Sequence, residues 1–516
     1  MSRLTLLLLL LGGGLFLIGS GAPALAQERA TPSHGVGLMP VTSVSDDVKR
    51  AAFEAVHGPD GEGKDGPMAK LSAELALLYE QHRQAGEAGV RSIREASIEP
   101  VAKREGEEAQ RGRSRVRSPI SADGASVTIN AIAADRSSDL LAALRRLGLE
   151  DGAAAGAVVS GRLPISALQE ASQLESLQGM LPSYARTHIG SVGSEADTAH
   201  SVYQARLNTG LSGGGQKICA MSDSYNQSES AATTASDDVQ SGDLPGNGNP
   251  EGNTVPVDVV QEGTDGSDEG RAMLQLIHDL APEARLGFHT AFGGIGVFAQ
   301  GIQDLANAGC TVIVDDVGYN VEPFYQDGPV SISANSVVRE EGIPYFSSAG
   351  NDGQNSYEAP FRNSGEPGVI NSSSVAHDFD PATLNTDTRQ EITIQAGGNF
   401  RIFSFQWTDP SEIVEGSQGP DTDINIALVE ENGAILVQSA EDNISNGIPV
   451  ESLEYTNNTG SSQTVNLVIE KAEGPDPDRV KYVYSGSGFT IQEYDTLGPT
   501  VYGHPMAEEV MAVAAA

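Results

Sequence analysis

Ser267-Asp268-Glu269-Gly270-Arg271-Ala272-Met273-Leu274-Gln275-Leu276-Ile277-His278-Asp279-Leu280-Ala281-Pro282 is the stretch on which the reading of the fold turns. A polar loop feeds a helix that an Ala-Pro pair stops. Met273, Leu276, Ile277 and Leu280 recur at three- and four-residue spacing, so one stripe of that helix is expected to be buried. Glu269 stands at its mouth. A carboxylate there is favoured by the helix dipole, which is by itself a sufficient structural reason for an acid at this position.

The neighbouring stretches give the helix its setting. A Gly-rich turn at 213–215 leads into a strand at 217–222 that ends in Asp223. Strands are expected at 255–261, 285–290, 311–314 and 344–348, and helices at 297–308 and 330–341. Strand and helix alternate throughout, which predicts an α/β fold: a parallel sheet with helices on both faces and right-handed crossovers. Asp223, Asp315 and Asp316, and the loop Ala349-Gly350-Asn351-Asp352-Gly353 then follow strand carboxyl ends, where open α/β sheets place their sites. Upstream, strands at 126–133, 156–161 and 177–183 with helices at 138–147 and 164–173 predict a small α+β unit. Downstream, short alternating strands between 391 and 485, separated by Gly, Asn and Pro turns, predict an all-β sandwich inserted in the α/β domain.

The expected organisation is a signal peptide at 1–26, a charged helical and linker region at 27–119, the α+β unit at 120–190, the α/β domain from 195 to 376, the sandwich at 377–498, and a return to the α/β domain at 499–516. The signal peptide rests on Arg3, the apolar run of residues 6–18 and the Ala24-Leu25-Ala26 cleavage signal, and it implies a secreted or extracytoplasmic protein. No later stretch is apolar enough to span a bilayer. Net charge is −39, and nearly all of it falls after residue 194, where 48 acids face 11 bases. Such a surface argues against nucleic acid or anionic membrane as a partner. Arg113, Arg115 and Arg117 form the one basic cluster and read as solvated linker. Cys219 and Cys310 are expected at the starts of buried strands, as two small hydrophobes and not as a disulfide. No cofactor is expected. Asp421 and Asp423 could contribute to a structural calcium site, but no motif specifies one.

Three blocks in order are specific together: Asp223 in Ala220-Met221-Ser222-Asp223-Ser224, the Glu269 helix ending in Leu280-Ala281-Pro282, and Ser348-Ala349-Gly350-Asn351-Asp352-Gly353. They resemble the aspartate, histidine and oxyanion-asparagine blocks of the subtilisin-like serine proteases. Residues 126–183 resemble that family's inhibitory propeptide, 200–207 its mature amino terminus, and 506–514 the strand after its oxyanion loop, so the likeness covers about two thirds of the chain. The resemblance implies Asp223 as the orienting acid, Asn351 as a donor to the tetrahedral oxyanion, and Asp316, Val317 and Gly318 as the substrate-binding strand, with a protein or peptide substrate and a monomeric enzyme. The acid at Asp316 hints at basic residues in the substrate.

Two departures accompany the likeness. Glu269 stands where the family has its histidine base. His278 is nine residues further along the helix, a rotation of about 900°, which points it away from Glu269. The sedolisin group of serine peptidases is similar in using Glu in place of His, but its second acid would fall at Met273. An Asp223–Glu269 pair sharing a proton is the expectation that remains. The second departure is the family's Gly-Thr-Ser nucleophile block, which is not found. Ser485-Gly486-Ser487-Gly488 lies between β strands, without the helix that should follow. The expected function is therefore an exported serine endopeptidase precursor, truncated before its nucleophile and inactive as written. The alternatives are a non-catalytic extracellular binding protein with a protease-like groove and a sandwich adhesion module, or a structural surface protein dominated by the sandwich.

Overall fold

The computed structural model describes residues 35–40, 44–58, 65–97, 115–116, 118–187, 196, 200–380, 382 and 386–515. The expected signal peptide lies outside the described residues, as do Arg113 and Arg117 of the basic cluster. Residues 126–182 alternate strand and helix over a short span and cannot bury both sheet faces alone. They form a four-stranded antiparallel sheet from β1 (Ser126–Ala133), β2 (Glu150–Ala155), β3 (Val158–Pro164) and β4 (Leu177–Pro182), in the order β2-β3-β1-β4. Side chains alternate between its faces. Val127, Ile129, Val159 and Leu163 join a core with helix α1 (Ser137–Arg146) and with Leu75 and Leu78 of the upstream helix Ala73–Ser97. Ile132 and Val158 face the other way, into the core of the following domain. A short strand, β5 (Ala185–Thr187), leaves this unit.

The second domain is a six-stranded, all-parallel sheet. Its strands are β6 (Lys217–Ser222), β7 (Asp258–Gln261), β8 (Arg285–Thr290), β9 (Val312–Asp315), β11 (Tyr345–Ser348) and β12 (Met511–Val513), in the order β7-β8-β6-β9-β11-β12. Near-continuous apolar runs such as 218–221 form its centre because both faces are covered. Helix α2 (Glu269–Leu280) packs on the face carrying Ala220, Leu286 and Phe288. Helices α3 (Ile295–Asn307) and α4 (Pro329–Glu341) pack on the face carrying Met221, Ile313 and Tyr345. The four-stranded unit sits on the α3 side. Gly294 gives α3 no capping side chain, and two buried polar groups of the unit supply that need. Ser160 Oγ accepts from the Gly296 N–H at 3.1 Å, and Asn130 Oδ1 accepts from the Ile295 N–H at 3.4 Å.

Three expectations need correction. The buried stripe of α2 is not Met273-Leu276-Ile277-Leu280: Leu274 and His278 are buried, Met273 and Ile277 are half-buried, and Leu276 is exposed. Gly270, against the Phe288 ring, and Arg271, paired with buried Asp238 and Asp268, set the helix rotation instead. The cysteines are not separate hydrophobes. Cys310 lies in the turn before β9, not on the strand, and there it bonds Cys219 of β6 with the Cα atoms 5.9 Å apart. The third concerns the unit expected as a sandwich at 377–498: its strands form one connected, eleven-stranded, mostly antiparallel sheet, which begins before residue 377. Strands Ser356–Ala359, Asn363–Pro367 and Val375–His377 already belong to its sheet, as does the amino-terminal hairpin Gly35–Val36 and Met39–Pro40, which pairs with Ile435–Ser439. Its core is built around Trp407, Phe400, Phe405 and Tyr482, and its longest strand is Gln390–Trp407, whose pairing with Val480–Ile491 shifts register twice.

Candidate active site

Parallel strands end at the same edge, so β6, β9 and β11 deliver Asp223, Asp316 and Asn351 along one rim, with neighbouring strands about 4.8 Å apart. Asp223 is buried and sits at the amino end of α2. Asp268, the residue before that helix, is in a left-handed conformation at φ 61° and makes no side-chain cap. Asp223 takes the capping role from another strand. Its Oδ1 accepts from the N–H groups of Ser224 at 2.6 Å and Glu269 at 3.1 Å, and its Oδ2 accepts from the Ser267 N–H and hydroxyl, both at 2.6 Å. A carboxylate has about four acceptor positions, and these donors fill them while facing the positive end of the helix.

The Glu269 amide is thereby held against Asp223. The Glu269 Oε2 accepts from the Ser222 hydroxyl at 3.1 Å. The loop in front is fixed by two further carboxylates. Asp268 Oδ1 accepts from the Ser224 hydroxyl and the Gln227 and Ser228 N–H groups, and Glu262 accepts from the Tyr225, Asn226 and Gly263 N–H groups. Arg271 locks this assembly from behind, donating to Asp238 at 2.8 Å, Asp268 at 3.0 Å and the Thr233 carbonyl at 2.8 Å. Nothing in the sequence reading singled out Asp238, Asp268 or Arg271. The acid-rich loop offered a signal, but only the fold shows which acids are buried.

Asn351 is exposed, one residue beyond Gly350, whose φ of 76° turns the loop. Asp316 is half-buried between β9 and the next strand, β10 (Val317–Tyr319). Burial, with Asp315 adding repulsion, pushes its carboxyl up to about 6. Val317 and Gly318 lie on β10, which pairs antiparallel with β5: Val317 opposite Thr187, Gly318 opposite Arg186, Tyr319 opposite Ala185. The outer edge of β5 is in turn covered by Arg115–Val116. The strand expected to bind substrate therefore already holds an extended segment of this chain.

Other candidates fall elsewhere. His278 is buried near Asp279, Glu251 and Asp243, with neither ring nitrogen hydrogen-bonded, and burial holds it below the usual imidazole range. Ser485 and Ser487 are within the sandwich strand Val480–Ile491, where Ser487 donates to Asn399. Among the described residues no group of His, Cys, Asp or Glu is arranged to hold a metal ion, and no helix is long and apolar enough to cross a membrane.

No family model matches the chain, and no curated protein matches it. Among solved structures it is similar to one described as "Structure of the Clostridium Perfringens CspB protease", at 9% identity over 62% of this chain and 73% of that one, with a TM-score of 0.28. A score of that size carries no argument about what this chain does.

Proposed function

We propose that this chain is an exported, subtilisin-like serine endopeptidase precursor, inactive as written because its sequence holds no recognisable nucleophile block, whose cleft takes an extended peptide along β10. The observation that carries the reading is the antiparallel pairing of Ala185–Thr187 with Val317–Tyr319, a main-chain docking mode available to any extended peptide. Asp223 and Asn351 lie at the same sheet edge, with Glu269 at the start of α2 against Asp223. In the family's reaction, which needs a serine hydroxyl that no block of this sequence supplies, Glu269 would take that hydroxyl's proton and return it to the leaving amine. Asp223 fixes the helix end that carries Glu269, and Asn351 donates to the oxyanion that forms when the serine oxygen bonds to the carbonyl carbon. Asp316, at the base of β10, would favour a basic side chain.

A second reading, a non-catalytic extracellular binding protein with the same groove, has one observation in its favour. Ser222, the hydroxyl that donates to Glu269, is completely buried and out of reach of a peptide. Labelling of the full-length protein with a fluorophosphonate probe, alongside hydrolysis of fluorogenic peptides between about pH 4 and pH 8, separates the two. On a product in which a Gly-Thr-Ser segment follows residue 516, the endopeptidase reading expects labelling and turnover that Glu269→Gln abolishes. Peptide binding with neither labelling nor turnover establishes the binding protein instead.

A further inference from the structure

The edge of β10 that faces away from β5 is held by two buried carboxylates. Asp315 Oδ1 accepts from the Val317 N–H at 3.2 Å, and Glu322 Oε2 accepts from the Tyr319 N–H at 3.4 Å. In an antiparallel pair alternate residues turn their amides to the partner, so this leaves Gly318, opposite Arg186, turned to β5. Both carboxylates converge on His504, which arrives on a single helical turn, His504–Met506, after the whole sandwich. Its Nδ1 lies 2.8 and 3.1 Å from the two Glu322 oxygens, and its Nε2 lies 3.1 Å from Asp315 Oδ1 and 3.0 Å from Ser347 Oγ. Ser347 donates to Asp315 at 2.9 Å, and the Phe298 ring packs edge-on against the imidazole at 5.0 Å.

We infer that His504 is the positioning residue of β10, a charged cross-link between the two carboxylates that grip the amides of Val317 and Tyr319. Hydroxyl, imidazole and carboxylate here have the outline of a nucleophile–base–acid set, but Ser347, His504 and Asp315 are all buried and no substrate reaches them. Each ring nitrogen faces a carboxylate, so each must carry a proton, and the resulting cation offsets two buried anions that would otherwise be uncompensated. Burial alone would lower the imidazole; the charges of Glu322 and Asp315 reverse this and lift it to about 10. The sandwich reinforces the same segment. Gln406 donates to the carbonyls of Asn320 and Glu322 and accepts from the Phe324 N–H, and Ser404 donates to the Asn320 carbonyl.

The functional meaning of this cross-link rests on the proposed peptide-binding role of β10. The test instead reads the strand through its present partner β5, so a failed peptide assay leaves it standing. Hydrogen exchange followed by mass spectrometry on the full chain compares wild type with His504→Gln. Exchange at 317–319 and 185–187 is expected to rise about tenfold or more, with β6 and β1 unchanged. A uniform rise across all four segments, or no change at 317–319, overturns the inference. Should His504→Gln fail to fold, nitrogen NMR of histidine-labelled wild type decides at about pH 8. Two protonated ring nitrogens on His504 uphold the cross-link, and a neutral tautomer refutes it.

Discussion

Replacing both Cys219 and Cys310 by alanine tests the part of the structure that encloses the candidate site. The disulfide closes a loop with a sequence separation of 91 that contains Asp223, Glu269, α2 and α3. Loop-closure entropy for that length gives about 4–5 kcal/mol at 25 °C, and native disulfides typically deliver 2–5 kcal/mol. The two sulfurs are small and buried, so the alanine pair adds only a minor packing loss to this figure. The sandwich holds Trp407, so tryptophan fluorescence reports the wrong domain. The suitable readout is exchange of the slowest amides of β6 and β9, where a loss of about 3–4 kcal/mol appears as exchange some 10²–10³ times faster. Wild type reduced with dithiothreitol should match the double variant. A change below about 1 kcal/mol, or two thiols titrating in the denatured but unreduced chain, would refute the reasoning.

Arg271→Met leaves Asp238 and Asp268 buried without their cation and should cost about 3–5 kcal/mol, with little dependence on salt, measured by denaturation at low and high ionic strength. His504 has a folded value of about 10, above the ordinary imidazole value of about 6.5. Its stabilising contribution is therefore full below about pH 6.5 and is lost as pH rises through about 10, and His504→Gln should flatten that alkaline decline in urea midpoints. Asp316 is also raised, to about 6, so protonation favours the fold below its unfolded value of 3.8, and that contribution is lost as pH rises through 6. Asp316→Asn should accordingly stabilise the protein at about pH 7 by roughly 1–2 kcal/mol, seen as a higher melting temperature.

The parallel sheet was legible because its central strands, covered on both faces, are written as apolar runs, and because β7, β8 and β9 are each followed by a helix before the next strand of the sheet. The bounds of α2 were legible for a similar local reason: its first turn and its Ala-Pro stop are adjacent in sequence. Its rotation was not, because a buried Arg271 at the helix start depends on Asp238, more than thirty residues upstream. Asp223 and Glu269 were read at a strand end and a helix start, and the structure has them there. That Asp223 acts as the cap of α2 was hidden, since Asp268 is the nearer acid and its backbone is turned the wrong way to cap. The disulfide was missed because Cys310 was read as part of β9. A shift of two residues into the preceding turn changes which neighbour its sulfur meets. His504 carried no local signal, as its partners lie 157, 182 and 189 residues away.

Those separations bear on the order in which the molecule assembles. The four-stranded unit pairs strands nearer in the chain than the partners of His504 are, and contacts of high sequence separation close slowly. The His504 cross-link spans the whole inserted unit in sequence and is therefore expected to close late. A nascent chain would then present Val317–Tyr319 to β5 while the rear of that strand is still loose. The amino-terminal unit would serve as the template against which β10 takes its shape, and the imidazole would set that shape afterwards.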